Sequence, residues 1–271
     1  MMTGQSRFSP LGIYAVVVAA AMVLPIAIVI LTALTPKEFL EFPPSGISLR
    51  WFEEVWRSEV WTNALLISLR IAGIATATAL LVGVTAALAL RATTSRWSAS
   101  LQAFLLSPLM IPSMLIGLGL LRIFDEVRIS PSVLTVAIGH TMIATPYVIR
   151  YALASLSGID PVLERAAGIL GASGWRTFTR VTLPLMRPGI IAGALFSFIM
   201  SLDDVNIALF LSNIQVHPFS VKLMGHVEQN ADPLGAAVAS VLVIIAFVVL
   251  LVCDRIAGIH WMFGIRSGSE S

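Results

Sequence analysis

Uncharged stretches recur along the chain at lengths that suit a bilayer better than a soluble core. Residues 11–34, 71–90, 101–121 and 233–253 carry no Asp, Glu, Lys or Arg. Two further runs are almost as apolar: 129–149 contains one histidine, His140, and 188–212 contains Asp203 and Asp204. About 20 residues at 1.5 Å each cross ~30 Å of hydrocarbon. The pattern therefore predicts an all-α membrane protein with six transmembrane helices, at about 11–34, 62–90, 101–122, 131–152, 188–212 and 233–254. The alternation expected of a membrane barrel is absent, so helices must satisfy the backbone in lipid. The first run has 24 uncharged residues, longer than the ~7–15-residue apolar core of a secretion signal, and is read as a retained span.

The polar segments differ in what they offer. Residues 35–61 hold turn signals at Pro43, Pro44 and Gly46 and aromatics at Phe42, Trp51, Phe52 and Trp56, which suits a segment lying along a membrane surface. The loops at 91–100 and 125–130 only connect neighbouring spans. Residues 155–187 are long for a linker and carry a helix pattern of their own. Asp160 can cap a helix opened by Pro161; Leu163, Ala166, Ala167 and Leu170 then recur at i, i+3, i+4 and i+7, and Gly171 supplies a stop. A second short helix is expected over 175–182, ended by Leu183-Pro184. From pattern alone, the apolar face at Leu163–Leu170 suits either docking in a groove of another protein or lying on the membrane surface.

Composition agrees with the spans: 57% of the 271 residues are apolar and 12% charged, against ~25% charged in a soluble domain. With the N-terminus inside, the cytoplasmic segments hold ten basic residues (Arg7, Arg91, Arg96, Arg150, Arg165, Arg176, Arg180, Arg187, Arg255, Arg266) against four acidic (Asp160, Glu164, Asp254, Glu270). The external segments hold six basic residues against nine acidic. The positive-inside rule therefore predicts cytoplasmic termini, with residues 1–10 and 257–271 as tails flanking a single transmembrane domain at 11–256. A net charge of +2 gives no reason to invoke nucleic acid. Cys253, the only cysteine, excludes an internal disulfide and forms no metal site by itself.

The run Leu163-Glu164-Arg165-Ala166-Ala167-Gly168-Ile169-Leu170-Gly171-Ala172-Ser173, followed by Leu183-Pro184-Leu185, resembles the cytoplasmic coupling loop of the permease subunits of bacterial binding-protein-dependent ABC importers. That family shares a Glu-Ala-Ala run, a glycine a few residues on and a Leu-Pro pair before the next span. Arg165 stands where the family's glutamate directly precedes the two alanines, and Glu164 lies one place earlier. A helix turns ~100° per residue, so this carboxylate points away from the usual direction. The resemblance implies a type I ABC importer permease fold in the bacterial inner membrane. It also implies two cytoplasmic ATPases clasping the coupling helices, a second and distinct permease subunit, and a periplasmic or lipid-anchored binding protein. The coupling residues would be Leu163, Glu164, Arg165, Ala166, Ala167, Leu170, Gly171 and Ala172. The only lysines are Lys37 and Lys222, and no Gly-Lys-Ser/Thr loop is present, so ATP and Mg²⁺ are expected on the partner subunits, with no cofactor in this chain. Ser201-Leu202-Asp203-Asp204-Val205 is similar to the Ser-Met-Asp-Asp-Val run in the second permease subunit of spermidine/putrescine importers. Opine and other organic-amine importers look alike here.

Ionisable groups inside spans cost a few kcal/mol each on insertion scales and face a cavity or a partner. Asp203 lies ~24 Å beyond Arg187 along a helix, and Arg70 lies ~13 Å inside Trp61, similar depths that allow an ion pair. One reading has Arg70 neutralise one aspartate or snorkel, while Ser201 or Asn206 hydrogen-bonds the other. Another has Asp203 or Asp204 face the pathway and attract a cation, its neighbour bracing it; the substrate would then be a polyamine or related amine. His140 is expected to pack through hydrogen bonds rather than relay protons. Pro108 and Pro112 mark a kink in the third span. An ion-coupled transporter or channel using Asp203, Asp204 and His140 is the rival, and it leaves the coupling run unexplained.

Overall fold

The computed structural model describes residues 10–93 and 97–257. The tails assigned to 1–10 and 257–271, apart from residues 10 and 257, lie outside the described residues, as do Arg7, Arg96, Arg266 and Glu270. All regular structure among the described residues is helical: α1 (Pro10–Ala33), α2 (Arg50–Arg57), α3 (Glu59–Ala92), α4 (Ser98–Leu106), α5 (Ser113–Glu126), α6 (Val133–Ser157), α7 (Pro161–Ile169), α8 (Gly174–Thr177), α9 (Leu183–Asp203), α10 (Asn206–Leu211), α11 (Phe219–Gln229) and α12 (Pro233–Ala257). Among the described residues, five helical stretches are long and apolar enough to span a membrane, or six when α4 and α5 with the turn between them count as one broken span.

The described residues fall into two compact units: 10–62 with 223–243, and 63–222 with 244–257. In the first, α1 is apolar all round and its most apolar window holds no buried residue, the property of a helix whose solvent is lipid. After it, the segment at 34–49 is folded rather than loose. The buried Trp51 donates its indole N–H to the Thr35 carbonyl at 3.1 Å. Glu41 accepts hydrogen bonds from Lys37 Nζ, Thr35 Oγ1 and both the backbone N–H and hydroxyl of Ser45. These donors pull the Glu41 pKa down to about 2, the Lys37 ammonium contributing most.

In the second unit, α6 and α9 pack extensively against each other. Small residues let them close: a Cβ on Gly189 would stand 2.5 Å from the Tyr151 carbonyl oxygen and 2.6 Å from Ser155 Cβ. Ala79 of α3 packs with Ala144 and Val148 of α6, and Ala87 with Ala152, Leu156 and Met186. Ile71, Ile116, Val136 and Ile207 gather α3, α5, α6 and α10 into a third cluster.

Two expected boundaries are corrected, and the third span, expected over 101–122 with a kink at Pro108 and Pro112, bends sharply. It breaks between a 3₁₀ turn at Ser107–Met110 and α5, and the two halves meet at 96°. Pro112 has no N–H to donate and forces Ile111 into extended backbone (φ −95°, ψ 128°). The fifth span does not run unbroken from 188 to 212: α9 ends at Asp203, Asp204 is extended, and α10 starts anew. Nor does Leu183-Pro184 end the helix expected over 175–182. A π-helical turn at Phe178–Thr182, closed by the Leu183 N–H on the Phe178 carbonyl, absorbs Pro184 and leads straight into α9.

Candidate functional site

Two clusters in the second unit carry chemistry. The first is α7 and its flanks. Asp160 Oδ1 accepts the Val162 N–H at 2.8 Å, and Pro161 occupies the first helical position, where a missing N–H costs nothing. Gly171 ends the segment at φ +81°, a left-handed conformation that costs a side-chain-bearing residue roughly 1–2 kcal/mol. The Ala172 and Gly171 N–H groups return to the carbonyls of Ala167 and Gly168.

The exposed face keeps Leu163, Ala166 and Leu170 of the expected set, turns Ala167 partly inward and adds Val162 and Ile169. Val162, Leu163, Ile169 and Leu170 are exposed, the last two at 87%. Ala166 and Arg165 are also exposed, whereas Ala167 and Ala172 are half-buried. Ile169 was not among the expected coupling residues; counting i, i+4, i+7 from Val162 would have found it. Glu164 turns to the inner side. Arg91, at the end of α3, donates Nη1 to Glu164 Oε1 at 2.9 Å and Nη2 to Oε2 at 3.1 Å. Thr182, in the π turn, donates its hydroxyl to Oε1 at 2.6 Å. Neither partner was legible, because each lies far from Glu164 in sequence.

The second cluster surrounds the break after α9. Asp203 is exposed, while the Asp204 side chain is 6% exposed and His140 1%. Asp204 Oδ1 accepts the Ile207 N–H at 2.8 Å in the first turn of α10, and its carbonyl accepts the Ser220 hydroxyl at 3.1 Å. His140 Nδ1 and Ser201 Oγ hydrogen-bond at 2.7 Å. His140 Nε2 approaches Asp204 Oδ1 to 3.5 Å without hydrogen-bond geometry, so this contact is electrostatic proximity only. The two adjacent aspartates therefore point to different surroundings. Arg70 is exposed and forms no ion pair with either, and the expected hydrogen bonds to an aspartate from Ser201 or Asn206 do not form. Ser201 serves His140, and Asn206 Nδ2 donates to Ser113 Oγ at 3.1 Å. Thr141 and Thr145, near His140 in sequence, bond to α6 carbonyls instead.

A cavity of about 510 Å³ in the first unit is a poorer site for a charged ligand. Ile28, Val29, Leu40, Phe42, Leu223 and Val227 wall it. Its two carboxylates are already engaged, Glu41 as above and Asp232 by His226 at 2.9 Å and the Gly235 N–H at 3.3 Å.

A coupling-type helix beside a span interrupted at paired carboxylates narrows the comparison with known proteins. The family described as binding-protein-dependent transport system inner membrane component matches residues 79–260, most of the chain. The chain belongs to this family. It is thus a permease of the ABC importer class, which removes the ion-coupled transporter from consideration. Over 251 residues it is 27% identical to the Haemophilus influenzae spermidine/putrescine transport system permease protein PotC, covering 93% of this chain and 97% of that one. It is 32% identical over 196 residues to the Escherichia coli putrescine transport system permease protein PotI, covering 70% of each. It is 31% identical over 244 residues to the putative 2-aminoethylphosphonate transport system permease protein PhnV of Salmonella paratyphi A, covering 86% of this chain and 88% of the relative. Among solved structures, a bacterial ABC transporter that imports the acidic polysaccharide alginate superposes with a TM-score of 0.67 at 14% identity, covering 90% of this chain and 94% of that one. The permease fold is therefore that of type I ABC importers.

Proposed function

We propose that this permease forms half of the pathway of an ATP-driven importer for a small organic cation, a polyamine above all, and that Asp203 is the pathway carboxylate. The observation that carries the reading is the divergence of the adjacent aspartates. Asp204 is turned inward against His140 and the start of α10, which leaves Asp203 exposed where the span is interrupted. A carboxylate at that depth attracts an ammonium group in a medium that screens it poorly. Kinship with the polyamine permeases supports the same class.

Residues 155–187 and both termini face the cytoplasm in this reading. Two partner ATPases bind ATP and Mg²⁺, hydrolyse ATP and grip the exposed α7 face. The other half of the pathway is a second, distinct permease, and a periplasmic or lipid-anchored binding protein delivers substrate. A second reading, an aminoalkylphosphonate, is favoured by the PhnV relatives; it shares the ammonium group and adds an anion.

The experiment is uptake by proteoliposomes holding the complete transporter, with putrescine, spermidine and 2-aminoethylphosphonate as alternative substrates. Polyamine uptake should fall about tenfold or more in Asp203→Asn, the scale of losing one charge-assisted contact. Unchanged polyamine uptake in that variant removes Asp203 from the pathway, and transport of the phosphonate alone selects the second reading.

A further inference from the structure

Glu164 has a partner set that the coupling-loop resemblance does not supply. Its carboxylate is chelated by Arg91 through two hydrogen bonds and accepts a third from Thr182, so α7, the end of α3 and the π turn before α9 meet at one group. Both charged side chains are about three-quarters buried, and bidentate geometry fixes orientation as well as distance. The other apolar and charged groups of α7, Leu163, Arg165, Ile169 and Leu170, point outward. Beyond this carboxylate, α7 leans inward chiefly through half-buried Ala167.

We infer that Glu164 is a positioning residue: an internal strut, closed by Arg91 and Thr182, that makes displacement of α7 a displacement of α3 and α9 together. The inference rests on the reading of α7 as the helix the ATPases grip, and it deepens that reading by naming the route inward. Thr182 lies in the π turn that leads into α9, so the strut reaches the start of α9 and the end of α3 at once. A merely stabilising ion pair would leave the ratio of transport to hydrolysis alone. A strut sets that ratio, because hydrolysis needs only the outer face of α7 whereas transport needs the inner attachment.

Amide exchange of residues 162–170, followed by mass spectrometry on the complete transporter in nanodiscs, tests the attachment without any substrate. Glu164→Gln and Arg91→Gln should each speed exchange roughly fivefold, the scale of one partly exposed ion pair. The double variant should be no faster than either single one, and Thr182→Val should shift exchange less, in the same direction. In proteoliposomes the Gln variants should import less putrescine per ATP hydrolysed. Unchanged exchange, additive effects in the double variant, or a Glu164→Gln complex that sheds its ATPases would overturn the strut. Failure of the wild-type chain to copurify with an ATPase would instead remove the coupling reading, while the exchange rates still decide whether Glu164 anchors α7.

Discussion

At the residue scale, one carboxylate next to another does not duplicate it. Asp204 holds the first turn of α10 through the Ile207 N–H, a role that Asn can fill and Ala cannot. Asp204→Ala should lower the melting temperature of the purified protein by about 2–4 °C, the effect of roughly 1 kcal/mol in a chain of this size. Asp204→Asn should cost less, and the reverse order would contradict the capping role. Glu41 gives a pH prediction. Its folded pKa of about 2 lies below the ordinary 4.5, so its bonds stabilise the 34–49 segment fully above pH 4.5. That stabilisation is lost as pH falls from there towards 2. A fluorine label on Trp51 should give a constant signal from pH 7 to well below the ordinary 4.5 and a shifted one as pH approaches about 2; Glu41→Gln should show the shifted signal at neutral pH. A wild-type transition above pH 5 would contradict the assignment.

Some of this was written in the sequence. Paired aspartates inside an apolar run had to find partners or a cavity; a helix would part such neighbours by ~100°, but here the break after Asp203, with Asp204 extended, parts them. That His140 and Ser201 would meet, 61 residues apart, was not written there. It depends on which faces of α6 and α9 oppose each other, and uniformly apolar helices carry no stripe to say so.

At the element scale, proline and glycine decide the outcome. The sequence marked Pro108 and Pro112 as a kink, yet its sharpness follows from extended backbone at Ile111 as well as a missing N–H. Pro184 looked like a terminus because the residue before proline avoids helix; a five-residue π turn absorbed it, which no spacing rule announces. The cap of α7 was fully legible, since Asp160, Pro161 and Gly171 act locally. Close packing of α6 on α9 predicts that Gly189→Ala destabilises the protein by about 1–3 kcal/mol, because the new methyl meets backbone and a neighbouring Cβ. Gly119→Ala, with open space around the site, should be neutral or slightly stabilising. Thermal unfolding of the two variants in detergent checks this, and equal loss in both would show that helix contact at Gly189 is not the constraint.

At the scale of the whole molecule, the proposed function makes the chain a lever moved by partner ATPases. Its membrane-spanning elements were legible as uncharged runs of sufficient length. Their division into two compact units was not, because that depends on which apolar surfaces face protein and which face lipid, and the two look alike in composition. α7 exposes an outer apolar face and holds an inner carboxylate tied to α3 and to the π turn before α9. Closure of the ATPases would move these elements as rigid bodies between inward and outward openings. The most direct measurement is ATP hydrolysis by the complete transporter in lipid, with its binding protein empty or loaded with putrescine, for wild type and Leu170→Asp. Loaded binding protein should stimulate wild-type hydrolysis, and Leu170→Asp should abolish the stimulation by placing a charge in the partner's groove. Stimulation that survives Leu170→Asp, or hydrolysis indifferent to the loaded binding protein, would contradict this coupling.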